Sequence, residues 1–577
     1  MMRTVDELDA SFPGINRSRA QASLGLLATL ETKKLLVLIV AVAVSLFARV
    51  YRLDAAGFAE DEANKIFALR AYEQGDLTAN AEHPMVMKVL CYASLRASAA
   101  WNESAGRKLN LFISDETALR LPNALFGALT VIPLFLFTCS LLGTRIGALT
   151  AAFWVAGVNA IAINRIAKED TLLVFFMLAG FWLYNLAKKR TESDMEGQEK
   201  LFILAGVAFG LMIASKYLPH YFGLYALFYY LVSYDHRNNR PIPGRANMKF
   251  FGAMLLSFIA ANPAVILPQT WRYLWKYVNE ELVTHHGYLI GDKLFVNELS
   301  ETPAGSPWYF YVLFLAVKVP LPVLIAFVVG VVEIFRHRGK YPECRGYLFL
   351  RLMLIFWMLP MSLVGAKFLR YTLTLLPIFY MIAAVGVVTI WRIVWWVMRK
   401  ARLENGWARG LVSAAAATVF VIAPAFTAAR AVLISHPSLY VNALGGGRVG
   451  YFFPHDEFYD LGARESIRYV AETAPPGSSL ASEIPGVVEY YLERYNRSDI
   501  HIEIMSKPGF GLHASAPQFV LLQRGRLYFE NKQNFEHIEL NYPLAQASTF
   551  DGVSAAQVYL VSGERAKVGW AEDAPSR

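Results

Sequence analysis

Residues 35 to 53 read LLVLIVAVAVSLFARVYRL, and residues 58 to 62 read FAEDE. The first stretch is long enough to cross ~30 Å of hydrocarbon at ~1.5 Å per residue, so it reads as a membrane helix. The second sets Glu60, Asp61 and Glu62 where the chain has only begun to leave the bilayer. A carboxylate so close to hydrocarbon costs free energy unless it is paired or used, so such residues point to proton abstraction, ion binding or ion pairing. Asp61 and Glu62 are the first candidates, with Glu60 as a solvated neighbour.

Working outward, the same test finds further apolar runs near 120–142, 146–164, 169–187, 200–215, 217–233, 249–268, 308–335, 347–364, 371–397 and 410–434. The chain of 577 residues is 55% hydrophobic and 18% charged, which fits a polytopic α-helical membrane protein with about eleven transmembrane helices and not a soluble globule. Its formal net charge of +9 needs no nucleic acid to explain it. The basic residues fall mainly in short loops, among them Lys188-Lys189-Arg190, Arg237 with Arg240, Arg336 with Lys340, and Arg399-Lys400. Those loops share one side of the membrane, which the positive-inside rule makes cytoplasmic. Residues 1–34 form a polar cytoplasmic tail, and the first run reads as a retained anchor because no small-residue cleavage pattern follows it. The membrane domain then covers 35–434, with long outer loops at 54–118 and 269–306. The placement is an inner or plasma membrane.

In the first outer loop, DEANKIFALRAYEQ (61–74) and PMVMKVLCYASLRASAAW (84–101) each read as an interfacial helix. After Ser435 the pattern becomes mixed: helix-like at 457–474 and 487–495, strand-like at 479–484, 500–505, 519–523 and 555–561. This predicts a soluble α/β domain over 435–577 on the outer face. Gly445 to Gly450 formally matches a dinucleotide fingerprint but follows no strand and opens no helix, so it reads as a link to that domain. The three cysteines, Cys91, Cys139 and Cys344, build neither a disulfide framework nor a metal site.

On this topology Asp61, Glu62, Lys88, Arg120, Arg165, Lys168, Asp170, Lys216, Lys318, Lys367 and Arg370 gather at the outer face, which predicts a polar site cut into it. Bland readings stand beside this one: Arg120 and Arg165 as snorkelling residues, Asp170 as a cap on its helix, Lys367 and Arg370 as headgroup anchors. Lys367 and Arg370, three apart before a span, are also placed to face a phosphate together. His285-His286 lack a third ligand at a favourable spacing, so no metal site is assigned and contact with a sugar or acceptor is expected.

Asp61-Glu62 after the first span, His83-Pro84 followed by Lys88, Arg120-Leu-Pro, Arg165 through Asp170, Gly210 through Lys216 and Lys367 through Tyr371 occur in an order that resembles the protein O-mannosyltransferases and the related aminoarabinose transferases. These are membrane glycosyltransferases of the GT-C fold that use polyprenyl-phosphate sugars, and the resemblance covers roughly residues 35 to 400. It implies Asp61 as general base, with Glu62 and Asp170 beside it. Lys88, Arg370, Lys367 and Arg165 become candidates for the donor phosphate, and His83, Arg120, Lys216, His285 and His286 for substrate contact. One departure is plain: the family's His-Pro-Pro-Leu-Gly-Lys stands here as His83-Pro84-Met85-Val86-Met87-Lys88.

The expected function is transfer of mannose or a related sugar from a polyprenyl-phosphate donor to an acceptor hydroxyl or amine-bearing envelope molecule, with inversion; no cofactor is assigned, and nothing in the sequence supports a divalent metal. Expected partners are the lipid donor, a protein, lipid or polysaccharide acceptor, and membrane lipids. Two other classes compete. One is a transporter with a charged outer-face site, but transporters usually set such charges near the midplane and often show paired repeats, whereas these charges cluster at one interface and no repeat is seen. A non-catalytic envelope assembly protein would use the α/β domain as a binding module.

Overall fold

The computed structural model describes residues 32–189, 195–218, 220–232, 244–277, 287–337, 342–402, 406–508, 510–512 and 518–561. Among them, seven helices are long and apolar enough to cross a membrane: Leu35–Ala55, Asp115–Leu142, Asp170–Lys189, Glu196–Ser215, Arg345–Leu363, Leu376–Lys400 and Gly406–Leu433. An eighth crossing arises if Thr144–Val155 and Val158–Asn164, which meet at 57°, are one broken span. The chain is an integral membrane protein.

The other three expected spans are shorter or interrupted. His220–Val232 has 13 residues. Gly244–Ala261 carries Arg245 and Lys249 in its first turns and gives way at Asn262-Pro263 to a 3-10 turn. The run 308–335 breaks into Phe310–Lys318 and Leu321–Arg336, because Pro320 holds Val319 in the extended region (φ −103°, ψ 136°) and cannot donate to a continuing helix. The hydropathy pattern does not register such breaks.

The described residues from 41 to 561 belong to one compact unit, and residues 479–561 of it carry a five-stranded sheet. After the short antiparallel pair β1 (Tyr288–Ile290) and β2 (Lys293–Phe295), the sheet strands are β3 (Ser479–Ala481), β4 (His501–Glu503), β5 (Gln518–Gln523), β6 (Leu544–Phe550) and β7 (Val553–Val561). Their order is β4-β3-β5-β7-β6, with β3 parallel to β4 and β5, and β7 antiparallel to β5 and β6. Side chains alternate across β5, so its two faces have separate cores. Phe519 and Leu521 join the cluster that includes Ile467, Val470, Val487 and Val488, while Val520 and Leu522 join Phe535 and Ile538.

The first core continues into the loop after the first span. Helix Glu60–Glu73 places Ala63, Ile66 and Leu69 in the cluster that holds Val487, Val488 and Tyr491 of helix Pro485–Arg494. The apolar side that sequence periodicity assigned to the membrane interface therefore covers protein. Helix Met85–Trp101 follows with Met87 and Cys91 in the same core.

Candidate active site

Asp61 lies in the first turn of helix Glu60–Glu73, and its neighbour fixes where that turn sits. Glu62 is fully buried and accepts four hydrogen bonds: the Ala59 N–H (3.0 Å), the Ala167 N–H (2.9 Å), and Arg120 through Nε (2.8 Å) and one terminal nitrogen (2.6 Å). Arg120 also donates to the Leu53, Ala56 and Gly57 carbonyls. The pair thus ties the start of this helix to the Ile166–Lys168 segment and the end of the first span. Removing one partner would strand the other, at a cost of about 3–5 kcal/mol. Glu62 and Arg120 hold the site and offer nothing free to a substrate.

Asp61 is 30% exposed, and cations surround one of its oxygens. Its Oδ2 lies 2.8 Å from Lys168 Nζ and 3.5 Å from an Arg370 terminal nitrogen, and accepts the Tyr459 hydroxyl at 2.6 Å. Burial by itself would raise the carboxyl, but Lys168, Arg370 and Lys65 outweigh it and hold Asp61 well below the usual carboxylate range. One helical turn on, Lys65 pairs with the buried Glu169 at 2.8 Å. His83 Nδ1 stands 4.0 Å from the same carboxylate, with the imidazole held neutral by burial. Asp170 pairs with Lys216 at 2.7 Å at the start of helix Asp170–Lys189, and the Lys216 ammonium sits 4.7 Å from the centre of the Tyr371 ring. Asp170 is the first residue of that helix, and its carboxylate pairs with Lys216 and makes no capping hydrogen bond among the described residues.

The basic residues separate into two groups. Lys88 donates to the carbonyls of Asn80 (2.6 Å), His83 (2.8 Å) and Ala79 (3.4 Å), which occupy all three of its donors. Lys367 donates to the carbonyls of Ser306 (2.8 Å) and Val364. Arg165 donates to the carbonyls of Tyr51 (2.7 Å) and Arg52 (2.9 Å) at the end of the first span. Each of these three pins backbone. Arg370 differs: it is 18% exposed, stacks over Phe368 at 4.4 Å, and makes no hydrogen bond among the described residues. It and Lys216, 19% exposed, are the expected site cations with an open side. His285 and His286 lie outside the described residues, among which no cluster of metal-ligating side chains occurs.

Sequence reasoning missed Lys65, Glu169 and the contribution of the C-terminal segment. The first two were within reach, since Lys65 lies one turn from Asp61 on the expected helix and Glu169 adjoins Asp170. Tyr459 was not. The expected helix 457–474 is broken by three left-handed residues, Tyr459 (φ 42°), Asp460 (φ 62°) and Gly462 (φ 84°), and this corner turns the phenol toward Asp61. Asp460 accepts from Arg526 at 2.6 and 2.8 Å and from the Glu60 N–H at 3.0 Å, while Arg526 also pairs with Glu60 at 2.7 Å. A cavity of about 40 Å³ lined by Ile166, Lys168, Arg370, Asp456 and Tyr459 lies on this side of Asp61, with room for little more than water.

Comparison with known proteins places the fold around these residues. Residues 100–267 match the family model of the dolichyl-phosphate-mannose-protein mannosyltransferases. The oligosaccharyltransferase of Archaeoglobus fulgidus in its apo form aligns over 85% of this chain and 69% of its own, at 10% identity and a TM-score of 0.50. The chain shares the GT-C fold. Two further structures are similar to this GT-C chain. ArnT from Cupriavidus metallidurans in the apo state aligns over 92% of this chain and 98% of its own, at 13% identity and a TM-score of 0.49. The Pmt1-Pmt2 complex of S. cerevisiae bound to the sugar donor aligns over 46% and 39%, at 15% identity and a TM-score of 0.32. No curated protein matches the GT-C chain at the level of sequence.

Proposed function

We propose that this protein transfers a sugar, mannose or a related one, from a polyprenyl-phosphate donor to a hydroxyl or amine of an envelope molecule on the outer membrane face, with Asp61 as general base. The observation that carries the reading is Asp61 itself: a partly exposed carboxylate with one oxygen held by Lys168 and Tyr459, beside Arg370, whose guanidinium pairs with it at 3.5 Å and keeps an open side. An activated sugar outside the cytoplasm arrives on a lipid and not on a nucleotide, and a lipid phosphate is the anion that Arg370 fits. The match to mannosyltransferases that draw on a dolichyl phosphate supports that donor class.

In the step proposed, the acceptor oxygen bonds to the anomeric carbon as the bond from that carbon to the phosphate oxygen breaks. The acceptor proton passes to Asp61, the bonding electrons leave with polyprenyl phosphate, and one displacement inverts the anomeric centre. Asp61 is a weak base, which suits a late transfer: the attacking hydroxyl becomes strongly acidic only as its oxygen bonds to carbon. Arg370, and Lys216 beyond it, would stabilise the phosphate charge that grows at the same moment.

The test supplies purified protein in detergent with a radiolabelled polyprenyl-phosphate mannose and a cell-envelope extract. The reading expects labelled acceptor and free polyprenyl phosphate in equal amounts. Binding of the lipid with no turnover would favour an assembly role, and its passage across a sealed vesicle without cleavage a transporter.

A further inference from the structure

All the donors that meet the Asp61 carboxylate meet the same atom. Lys168, Tyr459 and Arg370 all address Oδ2, whereas Oδ1 has no hydrogen-bond partner among the described residues. Tyr459 belongs to the C-terminal segment, 398 residues along the chain, and its position is built. The left-handed corner at Tyr459 and Asp460 carries its phenol to Asp61, and the next side chain binds the Glu60 N–H and Arg526, so two consecutive residues clamp two consecutive residues of the catalytic turn. Gly462 closes the corner at φ 84°, and a Cβ there would come within 2.8 Å of Ser548 Cβ.

From this geometry we infer that Tyr459 is a positioning residue of the transfer reaction: its hydroxyl, with Lys168, fixes Oδ2 and leaves Oδ1 to receive the acceptor proton. The inference rests on the function proposed above. A carboxylate with both oxygens free rotates about its terminal bond and presents either oxygen, so the acceptor meets a correctly aimed base only part of the time. A phenol donor at 2.6 Å removes that freedom. It also lowers the basicity of the carboxylate, because it stabilises the charged form. The groups facing Asp61 from the surrounding elements are Lys65, Lys168, Arg370, His83, Tyr277 and Tyr459.

Tyr459→Phe deletes the hydroxyl alone and supplies the test, measured with a lipid-linked mannose donor. The inference expects kcat to fall by about ten- to a hundredfold with the donor KM unchanged, and the acid limb of the kcat profile to move to higher pH as Asp61 becomes easier to protonate. Tyr490→Phe is the comparison. Its hydroxyl donates to Asp115 at 2.7 Å in the same interface and away from Asp61, so it is expected to lower thermal stability and leave the pH profile in place. Wild-type kcat and an unmoved acid limb in Tyr459→Phe, with Asp61→Asn inactive, would overturn the role of Tyr459 and leave the transferase reading standing. Loss of activity equal in the two tyrosine variants, with neither profile moved, would also overturn it by reducing Tyr459 to a structural contact. No turnover in the wild-type protein would instead defeat the reading beneath it.

Discussion

At the scale of single residues, the charged groups divide by what their donors and acceptors already do. Glu62 and Arg120 exhaust each other and nearby backbone, whereas Asp61 and Arg370 keep an open side. Two predictions follow from this division. Arg370→Ala is expected to raise the donor KM at least tenfold with little change in melting temperature, because a charge-assisted contact to phosphate is lost. Lys88→Met should do the reverse, lowering the melting temperature by releasing the 79–83 carbonyls while donor affinity in the surviving folded fraction stays near normal. Equal loss of donor affinity in both would show that Lys88 turns to phosphate after all. A third prediction concerns pH. Asp61 is held below its unfolded value, so its ionised form, and the stability its ion pairs contribute, are fully present above about pH 4 and are lost as pH falls through the lower folded value. His83 is held neutral, well below the ordinary imidazole value. The kcat/KM profile should therefore show no inflection from either group between about pH 5 and 7. A limb near 6.5 that disappears in His83→Asn would contradict this.

At the scale of elements, the turn that carries Asp61 is held by distant parts of the chain. Gly57 shows how tight that contact is: a Cβ at this position would lie 2.5 Å from Arg464 Cβ and 3.0 Å from the Tyr491 hydroxyl. That hydroxyl accepts from the Phe58 N–H and donates to Glu116, so the helix Pro485–Arg494 reaches the residues just before Asp61. Gly57→Ala is expected to destabilise the protein by about 1–3 kcal/mol through overpacking, read as a lower melting temperature in detergent. An unchanged melting temperature would mean that the contact is looser than it stands here. The same contacts explain what the sequence withheld. Helix Glu60–Glu73 was legible from its apolar spacing, and Lys65 with it, but periodicity cannot say whether an apolar face meets lipid or protein. Its true partner, helix Pro485–Arg494, lies more than 400 residues away. The corner at Tyr459–Gly462 was read as helix because neither tyrosine nor aspartate signals a left-handed backbone strongly.

At the scale of the molecule, long apolar runs gave the membrane class, and the strand-like runs after Ser435 overlap β3, β4, β5 and β7 but not β6. The span count was less legible, since Pro320 and Pro263 interrupt runs whose average hydropathy stays high. Six short motifs in order carried the resemblance, but they could not reveal that Lys88, Lys367 and Arg165 grip backbone, because the acceptors belong to loops whose course the motifs do not encode. What joins these scales is one carboxylate, ionised and aimed by residues from three parts of the chain. The most direct measurement is single-turnover release of polyprenyl phosphate from a lipid-linked mannose donor by wild-type protein and by Asp61→Asn, with donor binding measured on both. Asp61→Asn keeps the size of the side chain and removes the oxygen that accepts the proton. The account predicts a fall of about two orders of magnitude or more in the transfer rate with the donor still bound. Near-normal transfer by Asp61→Asn, with Asp170→Asn inactive, would contradict it and move the base to helix Asp170–Lys189.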